Sequence, residues 1–260
     1  MAEVSTGTTT GSTRSTPIEA VIFDWGGTLT PWHTVDFAEE SLALATAVVD
    51  ADEAGAAGAA QALLAAADVV WGRSRDHHLS ATLADLFTEA GLTHDESMLT
   101  AYRDFWEPHT LTDPDVVPLF SRLKVDGLQV GVLSNTMWPR EWHESFFVRD
   151  GVLEMLDGAV YTSEVPWTKP APEAFLAAAE AVGSTAPERC VFVGDRLFDD
   201  IWGARQVGMR TIHVPHSDIP RSQVGHSEGE PDAVVERLAH VYDIVAGWRT
   251  GARSTAAELR

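Results

Sequence analysis

Cysteine is almost missing from this chain. Of 260 residues only Cys190 carries a thiol, so no internal disulfide can form. It stands directly before the apolar run Val191-Phe192-Val193 and reads as a buried, inert thiol. Lysine is nearly as scarce, with Lys124 and Lys169 alone. The 39 Asp and Glu outnumber the 18 Lys and Arg and give a formal charge of −21. Nucleic-acid binding needs a surplus of Lys and Arg to neutralise phosphates, and this chain has a deficit. No apolar stretch approaches the roughly 18 residues expected of a membrane span. The Ser/Thr/Gly-rich start, residues 1–16, contains no apolar run that reads as a signal peptide, and it is expected to be a disordered tail. These absences lead to an expectation of a cytoplasmic protein, monomer or homodimer, bound to neither membrane nor nucleic acid. Its partner is expected to be a small-molecule substrate.

Apolar content of 45% is enough to build a sizeable core at this length. Val21-Ile22-Phe23 runs straight into Asp24 and then Gly26-Gly27, the pattern of a buried strand that stops at a carboxylate. Val191-Phe192-Val193 repeats it, ending in Gly194-Asp195. From Pro31 to Thr110 the character changes. Ala-rich amphipathic runs at 37–52, 56–71, 79–90 and 96–105 predict helices, with no strand-like alternation among them. From Asp113 onward strands at 130–133, 158–161, 191–193 and 211–214 alternate with helices at 115–124, 172–182, 199–207 and 232–246. That alternation predicts an α/β fold with a parallel sheet. The division that follows is a core of 17–30 and 111–248, a helical insertion of 31–110, and a C-terminal tail from Arg249 to Arg260.

Four segments carry the chemistry, in this order: Asp24-Trp25-Gly26-Gly27-Thr28; Ser134-Asn135 closing Val130-Gly131-Val132-Leu133; Lys169-Pro170 opening a helix; and Gly194-Asp195 with Asp199-Asp200. Together they resemble the motifs of the haloacid dehalogenase-like hydrolase superfamily. The resemblance implies a Rossmann-like core with a helical cap inserted after the first motif. It implies Asp24 as nucleophile, with Ser134 and Lys169 as its catalytic partners. Ser134, Asn135 and Lys169 would bind the substrate. Asp24, Asp195, the Gly26 carbonyl, Asp199 and Asp200 would hold Mg²⁺, with Asp200 the better match by spacing and Asp199 reaching a metal-bound water. The implied reaction is phosphate transfer to Asp24 and then to water. A phosphoryl group carries up to about two negative charges. A carboxylate can attack it only where cations screen both, which suits an oxygen-ligated Mg²⁺. Asp at a helix start also favours the helix dipole, so capping is the competing role for Asp199 or Asp200.

One position departs from the pattern. The residue two after the nucleophile is ordinarily a second aspartate, the general acid/base, and here it is Gly26. Such catalysis contributes about 10²–10⁴-fold. Three readings stay open: good leaving groups, a substitute acid such as His33, or a weakened catalyst that binds phosphometabolites. Phosphonoacetaldehyde hydrolases resemble the Asp-Trp motif but use a cap lysine, and residues 31–110 contain none. Haloacid dehalogenases lack the acids that Gly194-Asp195 retains. In the insertion, Arg73 and Arg75 stand in the one basic stretch, WGRSRDHH, either as an anion clamp for substrate or as a solvated helix end. Trp32, Trp71 and Trp106 are candidates for the pocket wall or for the core.

Overall fold

The computed structural model describes residues 17–31, 35–46, 53–215, 217 and 226–251. The expected tail at 1–16, positions 252–260 of the tail expected at 249–260, and the candidates Trp32 and His33 lie outside the described residues, while Arg249 and Thr250 of that tail belong to the last helix.

Six strands form one parallel sheet: β1 Ala20–Phe23, β2 Gln129–Ser134, β3 Gly158–Tyr161, β4 Cys190–Gly194, β5 Arg210–His213 and β6 Ala233–Val234, in the order β3-β2-β1-β4-β5-β6. All four residues of β1 are buried, as its continuous apolar run requires of a strand covered on both faces. Side chains alternate between two cores. Val21, Phe23, Val130, Val191 and Val193 pack on one face, and Ala20, Ile22, Leu133 and Phe192 on the other. The second face is covered by α7, Pro172–Ala181, through Ala174, Phe175 and Ala178. The first is covered by α5, Val116–Val125, and α9, Val241–Thr250, with α6, Arg140–Arg149, contributing Phe146 and Phe147.

β1 sits between β2 and β4, with Ala20 opposite both Gln129 and Cys190. From β1 the chain first fills the β2-β3 side and later the β4-β5-β6 side. Such a switch point leaves a crevice outside the carboxyl ends of the central strands, where open α/β sheets hold ligands. Asp24 and Asp195 each follow the last residue of one of those strands.

Between β1 and α5 the described residues form no strand of the sheet, but four α-helices: α1 Phe37–Thr46, α2 Glu53–His77, α3 Leu83–Glu89 and α4 Glu96–Trp106. They pack on one another, and α2 buries Ala56, Ala60, Leu63, Ala66 and Val70 along one face at three- and four-residue spacing. The expectation about apolar stretches needs correction here. Ala54–His77 is, by length and composition alone, apolar enough to cross a membrane. Alanine raises its mean hydropathy without interrupting the helix, and its buried stripe rests on α1 and α3.

Other expectations change. The helix expected over 79–90 is shortened to α3, Leu83–Glu89, with Leu79 in a bridge outside it. The helix expected over 232–246 starts only at Val241, and Ala233–Val234 form β6. The Asp232 carboxylate accepts hydrogen bonds from the Thr211 N–H at 2.8 Å and from its hydroxyl at 3.2 Å, fixing the segment to β5. The polar helix α6 was not expected from its composition. The helix expected over 199–207 begins as a π-turn at Leu197–Trp202 and becomes α8 at Gly203–Gln206.

The connections between insertion and sheet run together, since the Asp113 N–H donates to the Leu29 carbonyl at 2.8 Å. A further seam joins the turn after α2 to the loop before Lys169. Leu79 and Trp167 form an antiparallel bridge. The Thr168 N–H donates to His78 O at 2.9 Å, and the Ser74 hydroxyl to Thr168 Oγ1 at 3.0 Å.

Candidate active site

Asp24 is placed by the sheet and held by the turn after it. Its N–H donates to Val193 O at 2.9 Å, continuing the β1–β4 ladder by one residue. The chain then reverses within six residues. Gly27 N–H donates to Thr30 O at 2.8 Å and Thr30 N–H to Trp25 O at 3.0 Å. Gly27 has φ +101°, a conformation that side chains disfavour, which is why a glycine follows here. The turn brings the Thr28 hydroxyl 3.3 Å from Asp24 Oδ2 and 3.4 Å from Asp195 Oδ1.

Lys169 reaches the same point from the other side of β1. Asn135, just beyond β2, clasps its backbone. Asn135 Oδ1 accepts from the Lys169 N–H at 2.8 Å, and Asn135 Nδ2 donates to Lys169 O at 3.1 Å. The Lys169 ammonium then donates to Asp24 Oδ1 at 2.5 Å and to Asp200 Oδ1 at 2.7 Å. Asp200 is fully buried and takes the Arg196 N–H at 2.9 Å. Its side chain lies where a Cβ on Gly194 would be, 2.4 Å from Asp200 Cγ, so that strand end has room only for glycine.

Asp24, Asp195 and Asp200 thus converge, with one carboxylate oxygen from each within 4.8 Å of the others, and all three are buried. Three acids face a single lysine. Burial pushes the Asp24 carboxyl up to about 6, against the pull of Lys169. Burial raises the Asp195 carboxyl well above its ordinary value, and the charges of Asp24 and Asp200 add to it. Burial alone would lower the Lys169 ammonium, but Asp200 and Asp24 beside it reverse the effect and hold it above its ordinary value. The Asp195 Oδ2 atom is buried with no hydrogen-bond partner. An oxygen-only donor set short of positive charge, with one carboxylate oxygen unspent, fits a hard divalent cation. The two hydrogen bonds that close the turn use Trp25 O and Gly27 N, on either side of Gly26.

Above the acids lies a cavity of about 450 Å³. Asp24, Gly26, Ser134, Asn135 and Lys169 line its sheet end, and Ser134 is buried as it closes β2. Most of the sequence-derived site residues therefore meet here. Asp199 lines the cavity but stands outside the acidic triad, so of the two neighbouring acids it is Asp200 that joins Asp24 and Asp195. Burial and the neighbouring Asp200 charge raise the Asp199 carboxyl.

The paired arginines separate. Arg73 is not among the lining residues and donates to Glu89 at 2.5 Å, so it is no part of a clamp there. Arg75 reaches the cavity but forms a two-pronged ion pair with Asp76, at 2.8 and 3.0 Å. Trp71 and Trp106 do line the cavity. Sequence reasoning gave no role to Arg196, which lowers both Asp24 and Asp195, nor to Glu40 in α1. Arg196 had a signal, its place directly after Asp195. Glu40 had none, being one acid among many in a helical run.

Residues 18–208 match the family model described as haloacid dehalogenase-like hydrolase. Glyceraldehyde 3-phosphate phosphatase of Methanopyrus kandleri is 29% identical over 147 residues, 56% of this chain and 62% of that protein. Human phospholysine phosphohistidine inorganic pyrophosphate phosphatase is 35% identical over 77 residues, 30% of this chain and 28% of that protein. The chain thus spans less than two thirds of these curated relatives. Among solved structures, a HAD phosphatase from Thermococcus onnurineus superposes with a TM-score of 0.61 at 24% identity, covering 89% of this chain and all of the other. L-2-haloacid dehalogenase from Xanthobacter autotrophicus gives 0.59 at 20% identity, covering 88% and 99%. The two share the fold with this chain. Because the matched segment begins two residues before β1 and runs past α8, it takes in Asp24, Ser134, Lys169 and the acids after β4, and the chain belongs to the haloacid dehalogenase-like hydrolase family.

Proposed function

We propose that the protein is a Mg²⁺-dependent phosphatase of a small phosphorylated metabolite, acting through an aspartyl-phosphate on Asp24. The observation that carries this reading is the buried triad of Asp24, Asp195 and Asp200 around one lysine, with Asp195 Oδ2 unspent. The activities of the phosphatase relatives support a phosphate substrate.

Asp24, Asp195 and Asp200, with the Gly26 carbonyl, would hold Mg²⁺, which when bound supplies positive charge between the carboxylates and the phosphoryl oxygens. In the first step one Asp24 oxygen bonds to phosphorus as the bond to the leaving oxygen breaks. Lys169 offsets charge on the nucleophile and on the phosphoryl oxygens. Ser134 and Asn135, beside it in the cavity, orient the phosphoryl group. In the second step water attacks phosphorus, the bond to Asp24 breaks, and phosphate leaves with the carboxylate restored. Gly26 offers no proton in either step, so the leaving oxygen departs with its charge or takes a proton from solvent. The helical insertion, residues 31–110, serves as a cap over the core of 17–30 and 111–248.

Turnover of p-nitrophenyl and acetyl phosphate with and without Mg²⁺ tests the reading, with free halide assayed in parallel. Asp195→Asn is expected to remove metal dependence and nearly all activity. Turnover indifferent to both chelator and Asp195→Asn would overturn it. Gly26 also favours a second reading, a phosphometabolite-binding protein with little activity. Calorimetric binding of a phosphate ester that is never hydrolysed would select it.

A further inference from the structure

The two ends of the cavity differ in chemistry. The sheet end is polar, with Asp24, Ser134, Asn135 and Lys169. The helical end is walled by apolar and aromatic side chains, among them Phe37, Leu44, Leu63, Trp71, Tyr102 and Trp106. Its volume falls within the roughly 300–1,000 Å³ of pockets that enclose drug-sized ligands. Into this apolar end comes one half-buried carboxylate, Glu40, which accepts from Trp106 Nε1 at 2.9 Å. Burial pushes its carboxyl up, against the hydrogen bonds of Tyr102 and Trp106. The other acidic and basic side chains of the insertion that line the cavity are Asp68, Arg75 and His109; Arg75 is already paired with Asp76, and His109 packs against the Trp106 ring. The insertion contains no lysine to offset Glu40.

We propose that the cavity selects a phosphate monoester whose organic part is apolar or aromatic and carries an amine, and that Glu40 receives that amine. This rests on the phosphatase reading for the phosphoryl end only. A polyhydroxylated body would turn most of its hydroxyls toward Phe37, Leu44, Leu63 and Trp71, with only a few groups such as Ser41 and Ser74 to meet them, and each unmet hydroxyl is costly to bury. An ammonium gains a charge-assisted hydrogen bond to Glu40 in a place of low dielectric. It also gains attraction to the faces of aromatic side chains around it. The basic stretch of α2 is therefore not the source of recognition, and the residue that determines specificity is an acid.

The test holds the leaving group constant. 6-Aminohexyl phosphate, hexyl phosphate and glucose 6-phosphate are all primary alkyl esters, so phosphate release reports on the organic part alone. With Mg²⁺, the full chain is expected to show the highest kcat/KM for aminohexyl phosphate and the lowest for glucose 6-phosphate. Glu40→Gln, which keeps an acceptor for Trp106, is expected to raise KM for the aminohexyl ester about 10-fold or more and leave hexyl phosphate unchanged. Hexylammonium alone should quench tryptophan fluorescence saturably in the wild type and much more weakly in Glu40→Gln. Equal effects of the variant on all three esters, or preference for the sugar phosphate, would overturn the proposal while leaving the phosphatase reading intact. Quenching that depends on Glu40, without hydrolysis of these esters or of p-nitrophenyl or acetyl phosphate, would overturn the phosphatase reading and support the amine site. Absence of quenching together with absence of turnover of all five phosphates would overturn both.

Discussion

At the scale of single residues, Gly26 decides more than any other position. A Cβ built on it meets nothing within 4 Å, and its φ lies outside the region that disfavours side chains. Gly26→Asp should therefore be accommodated, with its carboxylate entering the cavity that Gly26 lines. Alkyl phosphate turnover is expected to rise by up to about 10²–10⁴-fold, while acyl and aryl phosphates change little because their leaving oxygens need no proton. A steady-state comparison of the two ester classes checks this, and equal gains in both would show that the leaving group was never limiting. Asp24 supports a second prediction. Its carboxyl is raised from 3.8 to about 6, so between those values the folded protein holds a proton that the unfolded chain gives up. Without metal, that stability is present below pH 3.8 and is lost as pH rises through 6. Asp24→Asn is thus expected to abolish turnover and yet raise the metal-free Tm at pH 7, by an amount equivalent to at most about 3 kcal/mol. A lowered Tm in calorimetry would contradict it. These residues were legible because each closes an apolar run and chain order preserves the four segments. Thr28 was legible only as part of a motif. Its link between Asp24 and Asp195 depends on the turn at Gly27, which brings together carboxylates 171 positions apart.

At the scale of elements, the sheet was read closely because buried parallel strands are continuous apolar runs. The elements that escaped have their reasons in tertiary contacts. β6 is two residues long and depends on the Asp232 carboxylate reaching Thr211. In α6 the polar run around Trp142 and His143 hides a buried face of His143, Phe146 and Phe147. The seam between 78–80 and 165–168 was also invisible, because a two-residue bridge across nearly ninety positions has no pattern in sequence. It matters because its next residue is Lys169. Loss of the hydroxyl pair Ser74–Thr168 is expected to cost about 1 kcal/mol, a typical net value for a buried hydrogen bond. A double-mutant cycle with Ser74→Ala and Thr168→Val measures that coupling by denaturant unfolding. Amide exchange at 165–169 should quicken in both single variants. Additive effects with unchanged exchange would show that the seam does not hold the lysine loop.

At the scale of the whole molecule, the excess of acids and one buried imidazole set opposite trends with pH. His143 is fully buried, stacks on Tyr161 and meets Trp25 edge-on, with Nε2 3.1 Å from Thr136 Oγ1 and Nδ1 lacking a partner. Burial, aided by the Arg140 charge, pushes it from 6.5 down to about 3. Between those values the unfolded chain takes up a proton that the folded one refuses. The stability this confers is complete above pH 6.5 and is lost as pH falls toward 3. Asp24 works the other way, and so does relief of repulsion in a chain of formal charge −21 as its carboxylates protonate. The metal-free wild type should therefore show a muted response between pH 4 and 6, the sum of opposed terms. His143→Gln removes one of them and keeps an amide to meet Thr136. Its stability relative to wild type is expected to improve on acidification by about 1.4 kcal/mol per pH unit between pH 6 and 4, the slope of one proton. Urea midpoints for both proteins across that range check it. Parallel curves would mean that His143 is protonated in the folded state and that its burial among Trp25, Trp138 and Tyr161 does not exclude charge.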